Sequence, residues 1–268
     1  MDPFKWVDAG RWDGGVQGRT PICLIREEPL SIVVQGKSYS TVLRTPGDEL
    51  PHAAGFCFSE GIIDHVDDCV SIACCDAENP NIVSVTLTGE RQKKAADILE
   101  RSGYISQTSC GLCGKEMADE LFQHVSPVPD GPSIDVQRAL DRLENLFERQ
   151  PLHKKTRAAH AAVIYDSDFE PIAESEDAGR HNALDKSIGK ALMEGVLDQA
   201  AFLVMSSRIS YELVQKAGRA RIPAIFSISR PTEFAASMAT RFNISLACLA
   251  KGSGLYLYGA AGRLSLRP

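Results

Sequence analysis

The chain predicts an α/β protein, α+β overall, with a C-terminal three-layer half preceded by a smaller half of antiparallel strands. Three observations carry that expectation. Between residues 160 and 258, short apolar runs alternate with segments of helical periodicity, the rhythm of a sheet covered on both faces. Between residues 21 and 125, strand-like runs joined by tight polar turns dominate. Between the two, Ser126-Pro127-Val128-Pro129-Asp130-Gly131-Pro132 interrupts the chain sharply, because proline lacks a backbone donor and fixes φ. The expected division is a loose lead-in over residues 1–20, an N-terminal α+β domain over 21–125 ending in a CxxC loop, and a C-terminal α/β domain over 126–268.

Taken in order, residues 22–25 read as a short strand and 30–34 as another. Gln35-Gly36-Lys37 turns the chain into 39–43, where Tyr39, Thr41 and Leu43 alternate with polar neighbours. Thr45-Pro46-Gly47-Asp48 closes that hairpin and opens a helix through His52, Ala53, Phe56 and Phe58 to Glu60. Strands at 69–74 and 82–87 and a helix at 91–99 complete this half. In the second half a helix carries Val136, Leu140, Leu143 and Phe147 on one face and stops before Pro151. Strands 161–165 and 171–174 form a hairpin through Asp166-Ser167-Asp168. Helices at 183–193, 211–219 and 233–242 then alternate with strands at 201–205, 224–228 and 244–249, and a last strand spans 255–258.

Composition narrows the function. With 268 residues and 44% hydrophobic content, the chain can bury a substantial core. A net charge of -6 argues against a general nucleic-acid binder, which needs a basic field. No apolar run reaches bilayer length, and the start MDPFKWVDAGRWDGG lacks the apolar core of a secretory signal. Eight cysteines, unevenly spaced and partly on apolar strands, do not form a secreted disulfide framework. The expected location is the cytoplasm, with neither nucleic acid nor membrane as partner.

Cys110 and Cys113, in Ser109-Cys110-Gly111-Leu112-Cys113-Gly114-Lys115, are the most informative residues. Thiols three positions apart, flanked by glycines and followed by a cation, can do redox work, hold half a metal site or carry sulfur. Met117, Leu121 and Phe122 recur at helical spacing after them, so the thiols are expected at a helix N-terminus, where the dipole favours thiolate. Zinc requires two further ligands, and no second CxxC or paired histidine follows at finger spacing. The zinc-deaminase signature is absent as well, since His160-Ala161-Ala162 supplies no glutamate. No metal is therefore expected.

A second constellation runs off a strand into a helix, where open α/β sheets bind ligands: Asp177, Gly179, Arg180, His181, Asn182, Asp185 and Lys186. A phosphate suits such a helix start; an ordinary capped surface helix is the plainer reading. A third, Ser206, Ser207 and Arg208, ends the next strand and offers hydroxyls, amides and a guanidinium to an anion. Ala250-Lys251-Gly252-Ser253-Gly254 reads as an ordinary hairpin turn containing a lysine. His160 reads as a hydrogen-bonded core histidine. Cys23, Cys57, Cys69 and Cys248 read as small core residues, and Cys74-Cys75 as incidental.

These stretches in this order resemble the FdhD/NarQ family, the formate dehydrogenase accessory sulfurtransferases, over nearly the whole chain from about Pro21. The resemblance rests on His52-Ala53-Ala54-Gly55-Phe56 with Ser59-Glu60-Gly61-Ile62-Ile63, on Cys110-Gly111-Leu112-Cys113-Gly114, on the unbroken string from Asp177 to Lys186, and on Ser207-Arg208 with Val214-Gln215-Lys216. It implies a cytidine-deaminase-like C-terminal scaffold, a cytoplasmic homodimer, and a sulfur carrier. Sulfur would come as persulfide from a cysteine desulfurase, with Cys110 as carrier and Cys113 as helper. It would pass to the bis(molybdopterin guanine dinucleotide) molybdenum cofactor destined for formate dehydrogenase, with a guanine nucleotide as mimic. A non-catalytic chaperone for the same cofactor is the alternative. The family's Phe-x-Lys-Pro-Gly-Arg stretch, implied to touch cofactor, is here Leu249-Ala250-Lys251-Gly252-Ser253-Gly254, without its terminal arginine.

Overall fold

The computed structural model describes residues 2–76, 80–100, 125–131, 133–252 and 254–265. Residues 1–20 are not a loose lead-in: β1 (Phe4–Asp13) and β2 (Val16–Ile25) form a two-stranded antiparallel ribbon, with Phe4 opposite Ile25 and Asp13 opposite Val16. The glycines that suggested disorder are its turn, Gly14 and Gly15 at φ 59° and 117°, as a tight hairpin requires. The ribbon buries little, leaving Trp6 and Trp12 exposed, so no alternation of hydrophobic residues marks its strands.

β3 (Glu28–Val34), β4 (Lys37–Arg44), β5 (Cys69–Cys74) and β6 (Ile82–Leu87) form a four-stranded sheet in the order β4-β3-β6-β5. Only β3 and β6 pair parallel. Leu30, Ile32 and Val34, with Val83, Val85 and Leu87, repeat at period two and point inward onto helix α1 (Glu49–Ser59). The single helix expected over 91–99 is two, α2 (Gly89–Lys94) and α3 (Ala96–Glu100). Arg91 turns inward within α2, its Nε donating to the Ile62 carbonyl (2.7 Å) and Nη2 to the Gly61 carbonyl (2.6 Å).

In the second half β7 (Ile134–Asp135) leads into α4 (Val136–Glu144), shorter than expected. The chain tightens to a 3-10 turn over Asn145–Arg149, and Pro151 opens α5 (Pro151–Thr156), a position where its missing N–H is harmless. There follow β8 (His160–Tyr165), β9 (Pro171–Asp177), α6 (Arg180–Met193), β10 (Phe202–Met205), α7 (Tyr211–Arg219), β11 (Ala224–Ser227), α8 (Glu233–Arg241), β12 (Ser245–Leu249), β13 (Leu255–Gly259) and β14 (Leu264–Ser265). Six of these strands form one mixed sheet, ordered β13-β12-β11-β10-β8-β9, in which β10, β11 and β12 run parallel. Leu143 of α4 packs with Phe202 and Phe226 on one face; Ile188, Leu213 and Met238 of α6, α7 and α8 cover the other. That is the three-layer arrangement the alternating pattern predicts. No described helix is long and apolar enough to cross a membrane.

The halves meet where α1 crosses α6. A Cβ on Gly55 would lie 1.8 Å from the Asp185 carbonyl oxygen, and one on Gly189 the same distance from that of Pro51. Two glycines therefore let the helix backbones touch, and one apolar core runs from Ile32 and Val85 through Ala53 and Phe56 to Ile188 and Leu203. Each fully buried Leu, Ile or Phe along it contributes about 1.5–3 kcal/mol.

Candidate functional site: the carboxyl edge of the six-stranded sheet

Parallel β10, β11 and β12 end at the same edge, where β9 also ends and β8 begins, with His160 in register with Asp177. Loops from this edge enter α6, α7 and α8, so three helix N-termini and their free amides gather there. The sequence-selected residues divide into two groups on it.

One group faces inward. Asp177 is fully buried; its Oδ2 accepts from the Thr45 amide (2.9 Å) and pairs with the Lys186 ammonium (2.7 Å). Its Oδ1 accepts from the Gly179 amide (2.8 Å) and Asn182 Nδ2 (3.0 Å). Lys186 also donates to the Thr45 carbonyl (2.8 Å), and Asn182 to that of Leu43 (2.7 Å). A Cβ on Gly179 would lie 2.8 Å from Asn182 Nδ2, which explains the glycine. Asp185, one turn along α6, accepts from Ser59 Oγ and from the Lys216 ammonium, which reaches both its oxygens at 2.8 Å. These residues clamp the β4–α1 corner onto α6. Asp177, Asn182, Asp185 and Lys186, expected to hold cofactor, have their polar groups engaged by protein.

His52 and Arg44 lie under the same clamp, both fully buried. Neither ring nitrogen of His52 has a hydrogen-bond partner among the described residues, nor do Nε and Nη1 of Arg44. Burial, then the charges of Lys186, Lys216 and Arg44, hold the imidazole well below its ordinary range.

The other group faces outward. Arg180 opens α6, forms no ion pair among the described residues, and keeps its Nε buried without a partner. Burial and the neighbouring Arg208 push its pKa down, because a second cation disfavours the charged form. Arg208 is exposed on the β10–α7 loop. His181 Nε2 lies 2.8 Å from Glu212 and 3.1 Å from Ser210 Oγ, which itself donates to Glu212 (3.1 Å). Hydrogen bonds and charge from His181 carry the Glu212 pKa below normal, against the opposing effect of burial. Glu212 is thus engaged by His181 and Ser210 and reaches Arg180 only through its charge, and neither Arg180 nor Arg208 forms an ion pair among the described residues. That arrangement can hold a multiply charged anion.

The remaining expectations fare unevenly. Ser206 Oγ accepts from the Ala161 amide (2.9 Å), Ser207 Oγ donates to the Arg208 carbonyl (3.0 Å), and the Ser207 carbonyl accepts from Ser227 Oγ. These hydroxyls shape the loop and do not line a cradle. Leu249, Ala250, Lys251, Gly252 and Gly254 do form the β12–β13 turn, closed by the Ala250 amide donating to Gly254 (2.9 Å), with Lys251 exposed. Ser253, Cys110 and Cys113 lie outside the described residues. His160 is half-buried at the rim instead of enclosed in the core; burial and then Arg180 lower its pKa. Cys23, Cys57 and Cys248 are buried as expected, and burial pushes the Cys57 thiol up into inertness. Cys69 is only half-buried.

The described residues on either side of the CxxC segment converge on one place. Ile98 of α3 lies 3.4 Å from where a Cβ on Gly61 would be, and Arg219 flanks the same spot. Val125 packs on Gly218. Both flanks thus border the last turn of α7, whose first turn carries Glu212 at the rim.

The model of the FdhD/NarQ family matches residues 25–265. A sulfur carrier protein FdhD of Streptomyces coelicolor is 38% identical over 267 residues, covering 95% of this chain and 93% of its own. One from Anaeromyxobacter dehalogenans is 33% identical over 252 residues, covering 90% and 88%. A crystal structure provisionally assigned as a formate dehydrogenase accessory protein from Desulfotalea psychrophila superposes with a TM-score of 0.78 over 98% of this chain and 100% of that one. At 20% identity, that likeness establishes the fold.

Proposed function

The chain belongs to the FdhD/NarQ family, and we propose that it carries sulfur on Cys110 and delivers it to the bis(molybdopterin guanine dinucleotide) molybdenum cofactor bound as substrate along the Arg180–Arg208 rim. The observation that carries this reading is the pair of neighbouring guanidiniums, Arg180 at the α6 N-terminus and Arg208 on the β10–α7 loop, neither in an ion pair among the described residues and the first with a buried Nε lacking a partner there. A dinucleotide with phosphate groups supplies the charge that this rim lacks. Arg180 and Arg208 take phosphate oxygens and His181, braced by Glu212, lies beside them; Lys251 bounds the far end of the edge.

Loading balances as an exchange. The Cys110 thiolate attacks the outer sulfur of the desulfurase persulfide, a new S–S bond forms, the donor's S–S bond breaks, and the donor cysteine leaves as thiolate.

The test is mass spectrometry after incubation with a cysteine desulfurase and cysteine. Gain of one sulfur, mapped to Cys110 and absent from Cys110→Ala, is expected. Persulfide persisting in Cys110→Ala would overturn the assignment of the carrier. The chaperone reading instead requires that Cys110→Ala still restore formate dehydrogenase activity in a strain lacking this protein. The desulfurase, formate dehydrogenase and a second copy of the chain are the partners this reading requires, in the cytoplasm.

A further inference from the structure

We propose that Arg230 and Tyr256 form a stacking platform for the planar base of a nucleotide whose phosphates lie against Arg180 and Arg208. The platform extends the anion rim of the proposed function and rests on that reading. The Arg230 guanidinium carbon lies 4.8 Å from the centre of the Tyr256 ring. Both residues are exposed, Tyr256 by 42%, and Ile228 beside them by 41%. Arg230 forms no ion pair among the described residues. An exposed cation held on an exposed ring, with no carboxylate to fix it, leaves two flat polarisable surfaces open to a third flat group.

Backbone register sets the pair in line with the phosphate-binding arginines. The loops after β10 and β11 are joined by a parallel bridge between Ile209 and Pro231, with the Thr232 amide donating to the Ile209 carbonyl (3.0 Å). One position before each bridge partner stand Arg208 and Arg230. They are neighbours on adjacent loops, about 5 Å apart at the backbone. Tyr256 pairs with Cys248, and Cys248 with Ser227, the residue from which the Arg230 loop departs. Cys248 and Tyr258 pack into the core beneath α6, α7 and α8, and Tyr256, two positions before Tyr258 on β13, lies on that same face of the sheet. The row along the edge is therefore Arg180, Arg208, Arg230, Tyr256, with its one aromatic ring away from Arg180 and Arg208. A nucleoside diphosphate likewise carries its base at the end away from its phosphates.

Stacking recognises a π-face and not the hydrogen-bonding edge of a base. The platform therefore favours a nucleotide over bare pyrophosphate without separating guanine from adenine. Calorimetric titration of the full chain with GDP, ADP and inorganic pyrophosphate tests this. Tyr256→Leu is expected to weaken GDP and ADP about tenfold and to leave pyrophosphate within about twofold, while Tyr256→Phe restores the nucleotides. Arg230→Gln should weaken the nucleotides in the same direction. Arg180→Ala should weaken all three ligands.

If Tyr256→Leu leaves GDP unchanged, or weakens pyrophosphate equally, the platform is refuted, and the loss caused by Arg180→Ala still supports the rim. If Arg180→Ala is silent while Tyr256→Leu weakens GDP, the phosphate assignment falls and the platform stands. Wild-type protein that binds none of the three at about millimolar concentration refutes both.

Discussion

Residues 177–186 behave as two regions, and the contrast between them shows how a dense polar string divides its labour. Asp177, Asn182, Asp185 and Lys186 point into the crossing of α1 and α6, where each is hydrogen-bonded or ion-paired to protein. Arg180 and His181, within the same helix turn, point to the sheet edge, where Arg180 has a buried nitrogen with no partner among the described residues. Satisfied polar groups in an interior hold two halves together. Unsatisfied charge at a helix N-terminus waits for a ligand. Substitutions should therefore separate into those that change folding and those that change binding.

The sharpest break lies at the helix crossing. Gly189→Ala puts a methyl 1.8 Å from the Pro51 carbonyl oxygen, a contact only backbone movement can relieve. The expected loss exceeds about 4 kcal/mol, above ordinary overpacking because the obstacle is backbone. Urea unfolding should show a collapsed midpoint or no cooperative transition. A variant within about 1 kcal/mol of wild type would mean that the two helices can part without consequence.

Next is the ion pair. Lys186→Met leaves Asp177 buried without its countercharge and should cost about 3–5 kcal/mol. Lys186→Met combined with Asp177→Asn should recover part of it, because the stranded charge is then gone. If the double variant is as unstable as the sum of the singles, the pair is not acting as a unit.

Arg180→Ala makes the opposite demand. Its stability should stay within about 0.5 kcal/mol of wild type, while pyrophosphate affinity falls by about 1.5–3 kcal/mol, the value of a charged hydrogen bond. Equal losses in both would place Arg180 with the clamp and erase the distinction between the two regions.

How much of this is legible in the sequence depends on what each pattern encodes. Strands with one buried face show it as alternation, so β3 and β6 are read correctly; the β1–β2 ribbon buries almost nothing and leaves no such mark. Helix α1 and the alternating β10–α8 stretch follow from hydrophobic period and from the turn residues that separate the elements. The division at Pro127 to Pro132 marks a change of rhythm, yet the core continues across it, because Gly55 and Gly189 encode a contact that no local pattern reveals. The polar string is recognisable as special from its composition. Which members face inward depends on Thr45 and Ser59, more than a hundred positions away. Arg230 and Tyr256 carry no local signal, since a bridge between loops and a register across β12 bring them together.

The smallest predicted effect concerns His52, and it tests the interior region by proton linkage. Inside the fold the ring is kept neutral by burial, and by Lys186, Lys216 and Arg44 around it. Asn182 favours the charged ring, but burial and the three cations outweigh it. In the unfolded chain the imidazole takes a proton near its ordinary value of about 6.5. Below that pH the unfolded state binds more protons than the folded one, so stability must fall as pH falls, by at most about 1.4 kcal/mol per pH unit. Above it, both states are neutral and the contribution is constant. His52→Gln should remove this slope between the ordinary imidazole range and the onset of carboxylate titration, while leaving the neutral-pH midpoint closer to wild type. An unchanged acid slope in His52→Gln would show that the folded interior readily accommodates the imidazolium. The clamp around Asp177 and Lys186 would then be wetter and looser than its hydrogen bonds require.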